Sequence, residues 1–196
     1  MIFEVLQIIT EEINNFFNVE IDEKPVSLEN IAFIDSEANE NSSTNNNVIL
    51  SLLHTEEEAT LKNILNHQIE GAKVVYKNNK VHLNLYTMFS ANRSDYTESL
   101  KSLSKVIEFF QSKRIFTQSN TNFDRALDGM DQIKDFKFTV ELFSPSFEEM
   151  NFIWGTLGGK QYPSVIYKIS VLEIERDVTQ AKGALITEIN GSLNHN

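Results

Sequence analysis

Ile2, Val5, Leu6, Ile9, Ile13, Phe16 and Phe17 return at three- and four-residue steps, which makes one helical face apolar. Glu4, Glu11 and Glu12 fall largely elsewhere, so the spacing predicts an amphipathic helix of about 17 residues, suited to docking on a sheet. Leu28–Ile34 is short, apolar and bounded by Pro25 and Asp35, and predicts a strand. DSEANENSSTNNN (35–47) holds no large apolar residue and predicts a loop. Val48–Leu53 is a continuous apolar run, as in a strand buried on both faces. Thr55 and Glu58 have capping-box spacing and predict a short helix through Leu61 and Leu65, with Glu56–Glu58 as its acidic first turn.

Gly71 and Asn78–Asn79 punctuate the next stretch, leaving Val74–Tyr76 as a small edge strand. Val81–Phe89 alternates, with Val81, Leu83, Leu85 and Phe89 on one side and His82, Asn84, Tyr86 and Met88 on the other. Tyr96, Leu100, Leu103, Ile107 and Phe110 keep a 4-3-4-3 spacing widened by Val106, the strongest helix signal in the chain. Asp95 is its expected N-cap, and Glu98 a first-turn acid. Phe136–Leu142 alternates as a strand. Ser146 and Glu149, just after Pro145, form a second capping box for a helix with Phe147, Met150, Ile153, Trp154 and Leu157 on its apolar face. Gly158–Gly159 ends that helix, and Ser164–Ile174 alternates as a last long strand.

The order helix, strands, helix, strand, helix, strand predicts an α/β (α+β) protein: one domain over residues 1–176, a mixed β-sheet flanked by helices. Residues 177–196 (DVTQAKGALITEINGSLNHN) differ in kind. Their single weak apolar stretch, Ala184–Ile189, buries little alone, so the segment is expected to be a frayed tail or an arm that orders on a partner. Leu185, Ile186 and Ile189 are the side chains such an arm would offer, added as a strand to an exposed sheet edge.

Charge sharpens this picture. The 196 residues carry 17 Lys+Arg and 28 Asp+Glu, a formal charge of −11. Residues 1–60 hold 13 acids and one base, Lys24; the remainder is nearly neutral. A nucleic-acid partner is not expected, because a phosphate-binding face needs clustered Lys and Arg. With 41% hydrophobic and 23% charged residues the composition is that of a globular protein. The absence of cysteine excludes disulfides and thiol chemistry. The N-terminus lacks a basic start and a small-residue cleavage site, and no uncharged apolar run is long enough for a bilayer. Cytoplasmic synthesis without direct membrane insertion is the expectation.

Catalytic and cofactor motifs do not emerge. His54, His67 and His82 with Glu56–Glu58 could be drawn as a metal cluster, but no tight i, i+4 histidine pair supports it, and His195 sits at the terminus. There is no G-x-S-x-G elbow, and Gly158–Gly159 follows a helix rather than preceding one, so no cofactor is expected. Trp154 and Tyr162 are candidate interface anchors, although a lone tryptophan on a helical stripe is also an ordinary core residue. Lys101 and Lys105, with Lys113 and Arg114, form a basic set. It reads either as a solvated face or as a contact for the acidic N-terminal third of a neighbouring copy.

Two stretches carry a family likeness: HLNLYTMFSAN (82–92) continuing through Tyr96, Leu100, Leu103, Val106, Ile107 and Phe109–Gln111, and Ser146–Glu149 continuing through Ile153, Trp154, Leu157, Gly158, Pro163–Val165, Tyr167 and Lys168. With the N-terminal helix they resemble the cap, or tail-terminator, proteins of extracellular contractile injection systems, the phage-tail-like particles of the antifeeding-prophage and virulence-cassette type. The resemblance spans residues 1–175 and leaves out the Asn-rich loop and the arm. It implies a non-enzymatic structural protein with a helix-flanked sheet and no cofactor. It further implies a homohexameric ring at the baseplate-distal end, ending polymerisation of the inner tube and sheath and joining the two, in a particle released from the cell. The residues without the resemblance also permit an acidic secretion chaperone or adaptor for an effector protein.

Overall fold

A computed structural model describes residues 1–21, 25–34, 46–61, 67–70, 73–77, 80–127, 129–130, 133, 136–174 and 179–184. Helix α1 (Ile2–Ile21) leads into β1 (Val26–Leu28), a 3-10 turn at Ile31–Phe33 and β2 (Asn47–Glu57). A second 3-10 turn, Ala59–Leu61, precedes β3 (His67–Glu70), β4 (Lys73–Lys77) and β5 (Val81–Asn92). Then come α2 (Tyr96–Ser112), β6 (Ile115–Thr117), β7 (Lys137–Phe143), α3 (Phe147–Thr156), β8 (Ser164–Ile174) and β9 (Thr179–Ala184).

Six strands form one mixed sheet in the order β1-β2-β5-β8-β7-β6. Only β1 and β2 run parallel, with Val26 opposite Val48; every other neighbour is antiparallel. Alternation sorts its side chains into two cores. Val48, Leu50, Leu85, Phe89, Tyr167 and Ile169 meet α1 and α2 on one face. Ile49, Met88 and Ile166 meet Ile31 and Trp154 on the other. Two helices thus cover one side of the sheet and α3 the other, the α+β architecture the element order predicts. None of the described helices is long and apolar enough to cross a membrane.

Several local expectations give way to longer-range forces. Strand β1 stops at Leu28, and Ile31–Phe33 is a 3-10 turn, not a strand, because Asn30 caps it by accepting from the Ala32 amide. The Thr55–Glu58 spacing does not start a helix. Strand β2 runs on to Glu57 in register with β5, Glu56 opposite Asn84, and ladder pairing overrides a local cap signal. Strand β4 is the middle of a second sheet, β3-β4-β9, instead of an edge. Its extra neighbour β9, with Lys182 opposite Val75, comes from far along the chain. Within 177–196, Thr179–Ala184 is this strand; Leu185, Ile186 and Ile189 lie outside the described residues.

Helix α2 starts at the expected cap, Asp95 accepting from the Thr97 amide. Its buried face is rotated from the predicted stripe: Ser99, Ser102, Leu103, Val106, Phe109 and Phe110 face inward, while Tyr96, Leu100 and Ile107 are exposed. Small serines let the first turns approach the sheet, and Ser102 Oγ accepts from Arg93 Nε at 3.0 Å, so these polar positions are satisfied. Helix α3 has its full capping box, with Ser146 and Glu149 exchanging bonds. At its other end Gly159 donates to the Trp154 carbonyl at 2.7 Å, with Gly158 and Gly159 both at positive φ, as a Schellman-type stop requires.

Candidate assembly surfaces

The acids of the first 60 residues are partly structural. Glu11 accepts from the Asp124 amide at 2.7 Å, and Glu12 takes both the Asn122 amide and the Lys113 ammonium. Together they fasten residues 122–124 to α1. On the opposite sheet face, Tyr86 donates its hydroxyl to Glu56 at 2.8 Å, which pushes the phenol's pKa up. Bonds from Thr60 and Asn84 hold the Glu58 carboxyl at about 2, well below its ordinary range. Among the described residues, these four carboxylates are thus engaged within the fold.

Lys101 and Lys105 project from α2, and each has an acid three residues away on the same helix. Lys101 meets Glu98 at 2.8 Å, which raises the ammonium pKa, and Lys105 meets Glu108 at 3.0 Å. This flank is thus locally balanced in charge. A separate flank of α2 is apolar, carrying Tyr96 at 67% exposure with Leu100 and Ile107.

Trp154 and Tyr162 come together behind the sheet, ring centroids 6.1 Å apart. Trp154 is 5% exposed and belongs to the smaller core; Tyr162 packs partly buried beside it. The exposed aromatics of α3 are Phe152 and Phe147, which at 97% exposure stands outside the buried apolar face where the spacing puts it, because it lies in the first turn beyond the sheet's cover. Phe152 lines a groove of about 600 Å³ with Leu52, His54, Tyr86 and Phe143. Its charged lining is acidic, Glu56 and Glu149. Among the described residues, no three His, Asp or Glu side chains converge to hold a metal ion.

The two edges beside this groove differ. At β1, Asn14 of α1 accepts from the Val26 amide and donates to the Val26 carbonyl, at 2.9 and 2.8 Å, standing in for a neighbouring strand. At β2, Ser51 Oγ binds the Glu29 carbonyl at 2.6 Å and the Ile31 amide at 3.0 Å, turning the chain away from the sheet. Strand β1 therefore covers only Val48–Leu50, and among the described residues Leu52–Glu56 has no outer strand. Burial alone would not have revealed this edge in the sequence, since it depends on where Ser51 sends residues 29–31.

A family model described as the Pvc16 N-terminal domain matches residues 4–188. The fold is similar over the whole chain to that of the PVC sheath/tube terminator of an extracellular contractile injection system, seen by cryo-EM in the extended state, with a TM-score of 0.61 at 12% identity. It is also similar, over 94% of the chain, to the tube-terminating cap of the anti-feeding prophage, with a TM-score of 0.56 at 11% identity. The chain spans 64% of the first of these proteins and 60% of the second. No curated protein matches it significantly.

Proposed function

This chain belongs to the Pvc16 N-terminal domain family, and from that we propose that it is a non-enzymatic tail terminator of a contractile injection system. In this reading it forms a homohexameric ring at the baseplate-distal end, where it ends growth of tube and sheath and joins the two. The observation that carries the proposal is the likeness to a sheath/tube terminator across the entire chain. Interface-ready surfaces add support. A closed ring needs two unlike patches on each copy. The molecule offers several: the apolar flank of α2, the charged flank with Lys101 and Lys105, and the aromatic rim of α3. Trp154 and Tyr162 would act by holding α3 in place under that rim, and Leu185, Ile186 and Ile189 would supply an arm to a neighbour.

Electron microscopy of particles made with and without this chain tests the proposal. Overlong or ragged tails are expected in its absence, and density for about six copies at one end in its presence. A protein missing from finished particles, with tail length unchanged on deletion, would refute the terminator and favour a chaperone that leaves after delivery.

A further inference from the structure

We infer that the bare edge of β2, Leu52–Glu56, is a docking site for an extended, basic segment of another protein of the particle. The inference rests on the terminator reading for the partner's source and on the edge itself for its chemistry. Glu58 donates its amide to the His82 carbonyl at 2.8 Å. Antiparallel alternation then points the amide and carbonyl of Glu56 and His54 toward β5, and those of Thr55 outward. Thr55 thus presents an open donor and acceptor at an exposed position, the template for strand addition.

Side chains define the occupant further. The adjoining groove gives room for apolar residues against Leu52, Phe143 and Phe152. Among the described residues its charged lining is Glu56 and Glu149, without a lysine or arginine. Beyond it on the same face lie Glu58 and Glu141, with the Lys168 ammonium opposite Glu141 in register and over the Tyr86 ring. Excess carboxylate favours Lys or Arg on an incoming strand and disfavours an acidic one. The outward amide and carbonyl of Val26 at β1 are taken by Asn14, whereas among the described residues those of Thr55 on β2 have no outer strand.

Thr55→Pro removes the outward amide while leaving the inward ladder untouched, and Thr55→Val keeps the amide. Particles assembled with each variant, and hydrogen exchange of the 52–56 amides in free protein and in particles, test the inference. Expected are at least tenfold lower incorporation of Thr55→Pro, wild-type incorporation of Thr55→Val, and at least tenfold slower exchange of the Thr55 amide in the particle. Equal exchange in both states overturns the inference even if Thr55→Pro fails to fold. So does protection already present in concentrated isolated protein, which would make the occupant a second copy. Wild-type chain absent from particles would instead remove the terminator reading.

Discussion

Glu12 on α1 and Lys113 just after α2 form an ion pair between residues 101 positions apart, and the same carboxylate grips the Asn122 amide. The pair joins the two helices that share one sheet face, with both side chains largely shielded from solvent. Glu12→Ala removes the acceptor of the Asn122 amide and leaves Lys113 only the Asn120 carbonyl. It should lower the unfolding free energy by about 2 kcal/mol in urea titrations, as hydrogen bonds to charged groups generally do.

Glu58 contributes to the pH dependence of stability. Its carboxyl titrates at about 2 when folded, against an ordinary 4.5. A depressed folded pKa contributes stability above pH 4.5 that is lost as pH falls from there toward 2. Glu58→Gln should therefore flatten the wild-type decline of melting temperature over that window while leaving the curve at pH 7 parallel. An unchanged slope would show that other carboxylates govern acid unfolding.

Trp154 is the sole tryptophan and lies in the core beneath α3. Its emission should be blue-shifted in the native protein and move red in the same transition that circular dichroism reports. Trp154→Ala opens a cavity and should cost about 3–5 kcal/mol.

The ends of α3 should respond separately. Ser146→Ala removes a cap worth about 1 kcal/mol, and Gly159→Ala forces a Cβ into a backbone at φ +78° for a loss of about 1 kcal/mol. The two sites are at opposite ends of the helix, so the double variant should lose close to the sum.

Exposed positions on α2 should separate folding from assembly. Leu100→Glu, Lys101→Glu and Lys105→Glu change stability by less than about 0.5 kcal/mol. If these flanks face neighbours in a ring, light scattering on the ring or particle counts will fall for at least one of them. Wild-type assembly by all three would move the ring contact to α3.

Signals confined to one turn of chain were the readable ones. Asp95, Ser146–Glu149 and Gly158–Gly159 satisfy backbone groups within a few residues, so their chemistry is written locally. Long alternating strands such as Ser164–Ile174 were equally plain. Thr55–Glu58 misled because capping-box spacing also occurs in strands, and β5 decides the outcome. The face of α2 misled because Ser99 and Ser102 are buried with partners that periodicity ignores, the Asp95 carbonyl for Ser99 and Arg93 for Ser102. Strand β6 is three residues long and exists only through its register with β7. At the candidate surfaces, Lys101 and Lys105 were visible as charges, but their pairing with Glu98 and Glu108 weakens them as a basic patch. The bare edge of β2 follows from Ser51 diverting a segment 20 residues away, which no local pattern encodes.

That edge also has a mechanical meaning. Strand β2 lies against β5 from Asn47 opposite Asn92 to Glu57 opposite Leu83. A segment laid along Leu52–Glu56 and pulled lengthwise would load those hydrogen bonds in shear, many at once, instead of peeling them singly. In the terminator reading proposed above, tension arriving there during contraction would pass through β2 into β5, whose Leu85 and Phe89 are rooted in the larger core. The subunit would resist as a whole, and on that reading it would stay attached while the sheath shortens.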